Sequence, residues 1–360
     1  MKINFCTQSR WETRSKPSQS KTNDKMPTKG SQDKSNPKEE LGPEHDPLTF
    51  LNNYKHYSQT FGISSNRTIL RNIENGDTIS QLIVIPENEE GVLGPLGCRV
   101  LVNAILGDNN RSKYTEFIDI RVVESNIEDI GAKCFARLLS KCNERDHFKV
   151  SYLDLTQNDI GPKGCLDIGR SLCCGMNGSL LHLKLDHNKF GSQGLKNLSK
   201  GLAMNSTLKR LSLRYCDING NTTKESLSSI LEFKKTELIS LDLTGNLLRG
   251  NGLMEISNSL AKNNTLQSLL LADNCITETD IDAIQAFSQT ISIAATLMQV
   301  DLSANAIGDL GGQVIADGLK SNNTIKSFKV DTSLSTDVYN SIFRQEVIEK
   351  TVKKKKKTKK

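Results

Sequence analysis

The chain has 360 residues, of which 36% are apolar and 24% charged, and a net charge of +6. That is long enough for a sizeable core and globular in composition, so a fibrous or wholly disordered chain is excluded. The closing run KKKKKTKK (353–360) holds seven lysines and residues 1–45 carry +3, so residues 46–352 come to −4, six less seven less three.

Residues 1–45 are rich in Ser, Lys, Asn, Thr and Pro and almost free of aliphatic side chains. Such a segment cannot offset its ordering entropy, so a disordered basic tail is expected there, with Trp11 as an isolated aromatic. The opening MKINFCTQSRWETRSK lacks a signal peptide's apolar stretch, and nowhere do about 18 apolar residues run together, so neither secretion nor membrane insertion is expected. Residues 46–78 form the next unit. DPLTFLNNYKHYSQTFGISSNRTILRNIE places Leu48, Leu51, Tyr54 and Phe61 at helical spacing, with a second helix from Thr68, and reads as a helical N-terminal cap.

From residue 79 to 333 one pattern recurs, L-x-x-L-x-L-x-x-N-x-L. Its clearest copies are Val150/Leu153/Leu155/Asn158/Ile160 and Leu238/Leu241/Leu243/Asn246/Leu248. The anchor positions Asn158, Asn188, Cys216, Asn246, Asn274 and Asn305 lie 28 to 31 residues apart, which is room for a strand and a full helix. Weaker copies flank them at Ile79/Leu82/Val84, Phe117/Ile120/Val122 and Ile325/Phe328/Val330, making about eight to nine repeats. L-x-L puts two leucines on one face of a strand. The asparagine carries both a donor and an acceptor, so stacked turns are expected to share a buried ladder, with Cys216 as its one break. Asn205, Asn263 and Asn322 open Asn-x-Thr/Ser triplets just before a strand, where turn chemistry explains them better than glycosylation. The stretch TDVYNSIFRQEVIEK, with Val338, Ile342 and Val347 on one side, predicts a C-terminal capping helix within 334–352, ahead of the lysine tail.

This pattern resembles the leucine-rich repeats of the ribonuclease-inhibitor type. The resemblance implies an α/β solenoid, a right-handed horseshoe with parallel strands on the concave face and helices on the convex one. The lead-in helices are similar, more loosely, to those of leucine-rich repeat proteins of cilia and flagella.

No phosphate loop, HExxH, GxSxG or GxGxxG motif occurs. Asp154, Asp242 and Asp301 share one mid-strand position as part of the repeat, so no catalytic residue and no cofactor are expected. The nine cysteines are scattered without C-x-x-C spacing and read as reduced thiols of an intracellular protein. His182 and His187 lack further ligands, and no metal site is expected. Strand residues that alternate with the leucines face outward, which gathers His182, Lys184, Asp186, His187, Arg210, Arg214 and Tyr215 into one patch. Arg and Tyr often anchor protein interfaces, so this patch is the expected centre for a protein partner. The lysine tail suits an acidic polymer, such as tubulin tails or nucleic acid, or nuclear import. The expected function is a non-enzymatic scaffold in the cytoplasm, cytoskeleton or cilium. Two other readings are a GTPase activator resembling that of Ran, against which the basic end counts, and an inhibitor or sensor, against which the basic central patch counts.

Overall fold

A three-residue strand followed by one amphipathic helix has an oily edge on both sides and nothing of its own to cover it, so each turn is stable only against a neighbour. The computed structural model describes residues 42–74, 80–142, 148–173, 175–223, 225–232 and 237–344, and within them the turns stack without interruption. The strands are β1 (Gln81–Val84), β2 (Asp119–Val122), β3 (Tyr152–Asp154), β4 (His182–Lys184), β5 (Arg210–Ser212), β6 (Ser240–Asp242), β7 (Ser268–Leu270), β8 (Gln299–Asp301) and β9 (Ser327–Lys329). They form one nine-stranded parallel sheet in chain order, each strand pairing with the one before it.

Eleven helices accompany the strands among the described residues. These are α1 (Pro47–Thr60), α2 (Arg67–Glu74), α3 (Gly94–Leu106), α4 (Glu128–Leu139), α5 (Pro162–Leu172), α6 (Gly191–Leu202), α7 (Ser226–Leu231), α8 (Arg249–Leu260), α9 (Ile281–Ile293), α10 (Gly308–Lys320) and α11 (Thr336–Ile342). Helices α3 to α10 alternate with the strands, and each packs on the helix of the next turn. The result is the open α/β solenoid that the repeat predicts, with the core between one layer of strands and one of helices. Leu183, Leu185, Leu211, Leu213, Leu241 and Leu243 are each at most 2% exposed. Each such leucine contributes about 1.5–3 kcal/mol of burial, realised only when the next turn is in place.

The polar counterpart is the asparagine ladder. The Asn188 amide donates to the carbonyls of Leu155 and Leu185, both at 2.9 Å, while its Oδ1 accepts the N–H groups of Asn158 (2.9 Å) and Ile160 (3.0 Å) of the preceding turn. Asn246 does the same for Cys216 and Ile218, and Asn305 for Asn274 and Ile276. Cys216 keeps only the donor half, its thiol pointing at the carbonyls of Leu185 and Arg214, both at 3.3 Å. With no amide oxygen to meet, the N–H of Phe190 turns back to the Asn188 carbonyl at 2.7 Å. A second row fixes the far side of each turn. Asn177, Asn205, Asn263 and Asn322 each accept two N–H groups at the approach to the next strand. Their amides donate to Leu139, Leu172, Leu231 and Ile291 in the previous turn's helix.

At the first end, α1 packs on α3 and α2 lies against β1. The buried stripe of α1 is Phe50, Leu51, Tyr54 and Tyr57. Leu48, expected on that stripe, is 58% exposed, because Pro47 and Asp46 start the helix there and the first turn overhangs the core. Residues 43–45, assigned by sequence to the tail, instead form a short 3-10 turn whose Glu44 carbonyl accepts the Thr115 N–H at 3.0 Å. The rest of the basic tail, Trp11 and the run 353–360 lie outside the described residues.

At the other end the expected capping helix stops at Ile342. Phe343 leaves it in extended geometry, and Arg344 makes an antiparallel bridge with Phe328 of β9, N–H to carbonyl at 2.9 and 3.0 Å both ways. Its guanidinium then donates to the carbonyls of Leu319 (2.7 Å), Asn322 (3.1 Å) and Ile325 (3.2 Å). One arginine thus covers a sheet edge and closes the C-terminus of α10. Val347 lies outside the described residues.

Two expectations follow. Asn188→Ala orphans backbone groups in two turns and should lower stability by about 3 kcal/mol or more, whereas Cys216→Asn should raise it by about 1 kcal/mol, both read from urea midpoints. Arg344→Ala should speed amide exchange in β9 and the last turn of α10 by about tenfold or more while leaving β3 to β5 unchanged.

Candidate functional site

In register, the outward residues form continuous rows across the sheet. One row runs Asp119, Tyr152, His182, Arg210, Ser240, Ser268; the next runs Arg121, Asp154, Lys184, Ser212, Asp242, Leu270. Adjacent strands are about 4.8 Å apart, so neighbours within a row touch. Over β3 to β7 these residues line a shallow groove of about 250 Å³ whose walls include Tyr152, His182, Arg210 and Leu270.

The patch expected from sequence divides when its electrostatics are examined. Lys184 is not a free cation: its Nζ lies 2.9 Å from Asp154 and 4.0 Å from Asp186. Burial works against its charge, but the hydrogen bond and field of Asp154 outweigh it and hold the ammonium above its ordinary pKa. Arg214 lies 3.8 Å from Asp242, whose own carboxyl is raised by burial. Asp186, expected on the surface, is 4% exposed. Its Oδ1 accepts the Ser212 hydroxyl at 2.6 Å and the Arg214 N–H at 3.0 Å, so it positions the neighbouring strand rather than meeting a partner. The central patch is therefore largely self-neutralised, and the cross-strand register is the reason.

Arg121 belongs to the same face and was not picked out from the sequence. It grips Asp119 through two nitrogens, at 3.0 and 2.7 Å, and lies 4.8 Å over the Tyr152 ring. Tyr152 in turn meets the His182 ring edge-on at 5.7 Å. The signal was available: Arg121 sits in the weak repeat Phe117/Ile120/Val122 at the position that Asp154 and Lys184 hold in theirs.

At the rim, His187 and Tyr215 stand in the left-handed backbone region, with φ of +57° and +53°, one residue before each ladder position. That geometry, which non-glycine residues seldom adopt, points both side chains out of the turn, and their rings stack at 4.8 Å with a 16° tilt. The Tyr215 ring lies over Gly245, where a Cβ would stand 2.1 Å from its Cε1. Glycine there, at φ +72°, lets the ring lie flat across the following turn.

A model of the leucine-rich repeat matches residues 147–169, 177–199, 205–221, 262–284 and 294–316. Over 211 residues the chain is 28% identical to the ribonuclease inhibitor of Sus scrofa, covering 56% of this chain and 42% of that protein. It is 29% identical over 186 residues to NACHT, LRR and PYD domains-containing protein 12 of Homo sapiens, covering 51% of this chain and 17% of that one. A Rho GTPase-activating protein of Dictyostelium discoideum is 28% identical over 163 residues, 43% of this chain and 14% of its own length. These matches span less than half of each relative. With the nine-stranded solenoid, they make this chain a leucine-rich repeat protein of the ribonuclease-inhibitor type.

Gly245→Ala should displace the Tyr215 ring. The expected result is loss of the ring-current shift on the His187 imidazole protons in an NMR spectrum, with the β-sheet resonances unchanged.

Proposed function

We propose that the chain is a non-enzymatic scaffold whose concave face holds a partner protein, centred on β3 to β6. The observation that carries this reading is the pre-ordered cluster on that face. Tyr152 is fixed between Arg121 and His182, and Tyr215 between His187 and Gly245, with Arg210 exposed among them. Aromatic and arginine side chains dominate interface energetics, and rings already held in place lose little entropy on binding. Over β6 and β7 the same face includes the small side chains Ser240, Thr244, Ser268 and Ala272, which leave room for a partner's bulk.

The setting that fits is intracellular and cytoskeletal, such as the cilium. Its support is the lead-in of a tyrosine-bearing helix, α1, followed by the short α2, a layout similar to that of ciliary leucine-rich repeat proteins. In this reading the lysines of 353–360 add attraction to an acidic polymer such as tubulin tails or nucleic acid, and that attraction weakens with salt.

Affinity capture from native lysate tests the reading. The intact chain is compared with Ser268→Arg, with the Arg210→Ala/Arg214→Ala double variant and with a truncation before Lys353. Ser268→Arg places a long charged side chain on the concave face next to Ser240 and should cut partner recovery about tenfold or more, as should the double variant. The truncation should lower recovery only at low salt. Full recovery with Ser268→Arg overturns the concave-face reading.

A further inference from the structure

Pairing the charges of the concave face one by one leaves a remainder. Arg121 is held by Asp119, Lys184 by Asp154, Arg214 by Asp242, Lys329 by Asp301, and Lys209 beside the face by Glu237. Arg210 is exposed, and among the described residues no carboxylate lies within ion-pair distance of its guanidinium. Its row neighbours are His182 on β4 and Ser240 on β6, both half-buried. Among the described residues neither the His182 ring nor the Ser240 hydroxyl has a hydrogen-bond partner; the imidazole's ring contact is the T-shaped one with Tyr152. Three groups able to donate thus stand side by side in one row of the groove, in a fold that has neutralised its other concave cations.

We propose that Arg210, His182 and Ser240 form the recognition point for a side-chain carboxylate of an acidic segment in the partner protein. This rests on the concave-face reading and specifies its chemistry. The site offers one full positive charge, which balances a carboxylate but not a phosphate dianion. The neighbouring cations Arg121, Lys184 and Arg214 are taken up by Asp119, Asp154 and Asp242, so no second positive charge is on offer to a dianion. The guanidinium presents two N–H groups in the planar fork that fits a carboxylate. Tyr152 and Leu270 line the same groove, so an apolar residue next to the acidic one is accommodated.

Binding at this point should be linked to a proton. His182 faces Tyr152 on β3 and Arg210 on β5, with Asp119 beyond on β2 and Lys184 on its own strand. Burial, and then the positive field of Arg210, lower its pKa from the usual 6.5, while Asp119 opposes them weakly. A carboxylate seated on Arg210 cancels that field and offers the imidazolium a partner, so the bound-state pKa lies above the free one. Binding therefore takes up a proton. Affinity should rise as pH falls through the bound-state pKa and level off below the free-state value, which is under 6.5.

The test is NMR titration of the intact chain carrying 13C-labelled histidine, with His182 assigned by His182→Gln among the five histidines. Hexaglutamate is the probe, and inorganic phosphate is the competing arm. Hexaglutamate should raise the His182 midpoint by about half a pH unit or more, leave His187 unmoved, and do nothing to His182 in Arg210→Ala. The His187 ring-current shift confirms that this variant is folded. Three results overturn the proposal: a His182 midpoint that moves no more than those of the other histidines, the same movement in Arg210→Ala, or saturation by phosphate at lower concentration than by hexaglutamate. An unresponsive His182 alongside loss of capture by Ser268→Arg removes the carboxylate site and leaves the scaffold reading standing.

Discussion

Every feature of this protein depends on the fact that a single turn cannot bury its own leucines. A strand of three residues places one inward side chain in the sheet, and the helix behind it covers only half of what that chain needs. The other half comes from the next turn, and the asparagine ladder imposes the same condition on the polar groups. Asn188 satisfies donors of the turn before it and carbonyls in both turns, so neither can be lifted away without orphaning buried groups. Carboxylates extend the interlocking to the helices. Asp129 of α4 accepts the N–H groups of Gly161 and Gly164 at the start of α5, and Glu255 of α8 those of Leu227 and Ser228 in α7. Stability is shared between neighbours, which is why the chain must be long and why its ends must be treated differently.

The ends are treated by unlike means. The first is covered by a helical pair with its own aromatic cluster, in which Phe50 meets Phe117 edge-on at 5.0 Å. The last is closed by one arginine and a two-residue return of the chain. Both leave the concave face open, because neither crosses the strand rows. The exposed rings and the groove are thus products of the same stacking that makes the core.

Electrostatics on that face follow from register. A repeat that places one residue type per strand position sets unlike charges side by side whenever successive copies differ, as Asp154 and Lys184 do. In that pair Lys184 is half-buried and Asp154 buried, and the two cancel the local field. What remains to be recognised from outside is the residue whose row neighbours are neutral, and Arg210 is that residue.

The sequence by itself determined the solenoid. The spacing of Leu153, Leu155 and Asn158, repeated every 28 to 31 residues, admits no other way of hiding so many aliphatic side chains, and periodicity is a local property that survives reading one letter at a time. It also set which residues face outward, since strand alternation is fixed by backbone geometry. Tertiary structure alone decided what those outward residues do. Lys184 and Asp186 are engaged by residues of neighbouring strands about 30 positions away, and Arg121, in a weak copy of the repeat, is set on the face by the Tyr152 ring of the next strand. Leu48 was lost from the core, and the final helix stopped at Ile342 because Arg344 is held by carbonyls of another turn. For Lys184 and Arg121 the deciding partners, Asp154 and Tyr152, lie a full repeat away in the chain, where a pattern confined to one turn carries no information.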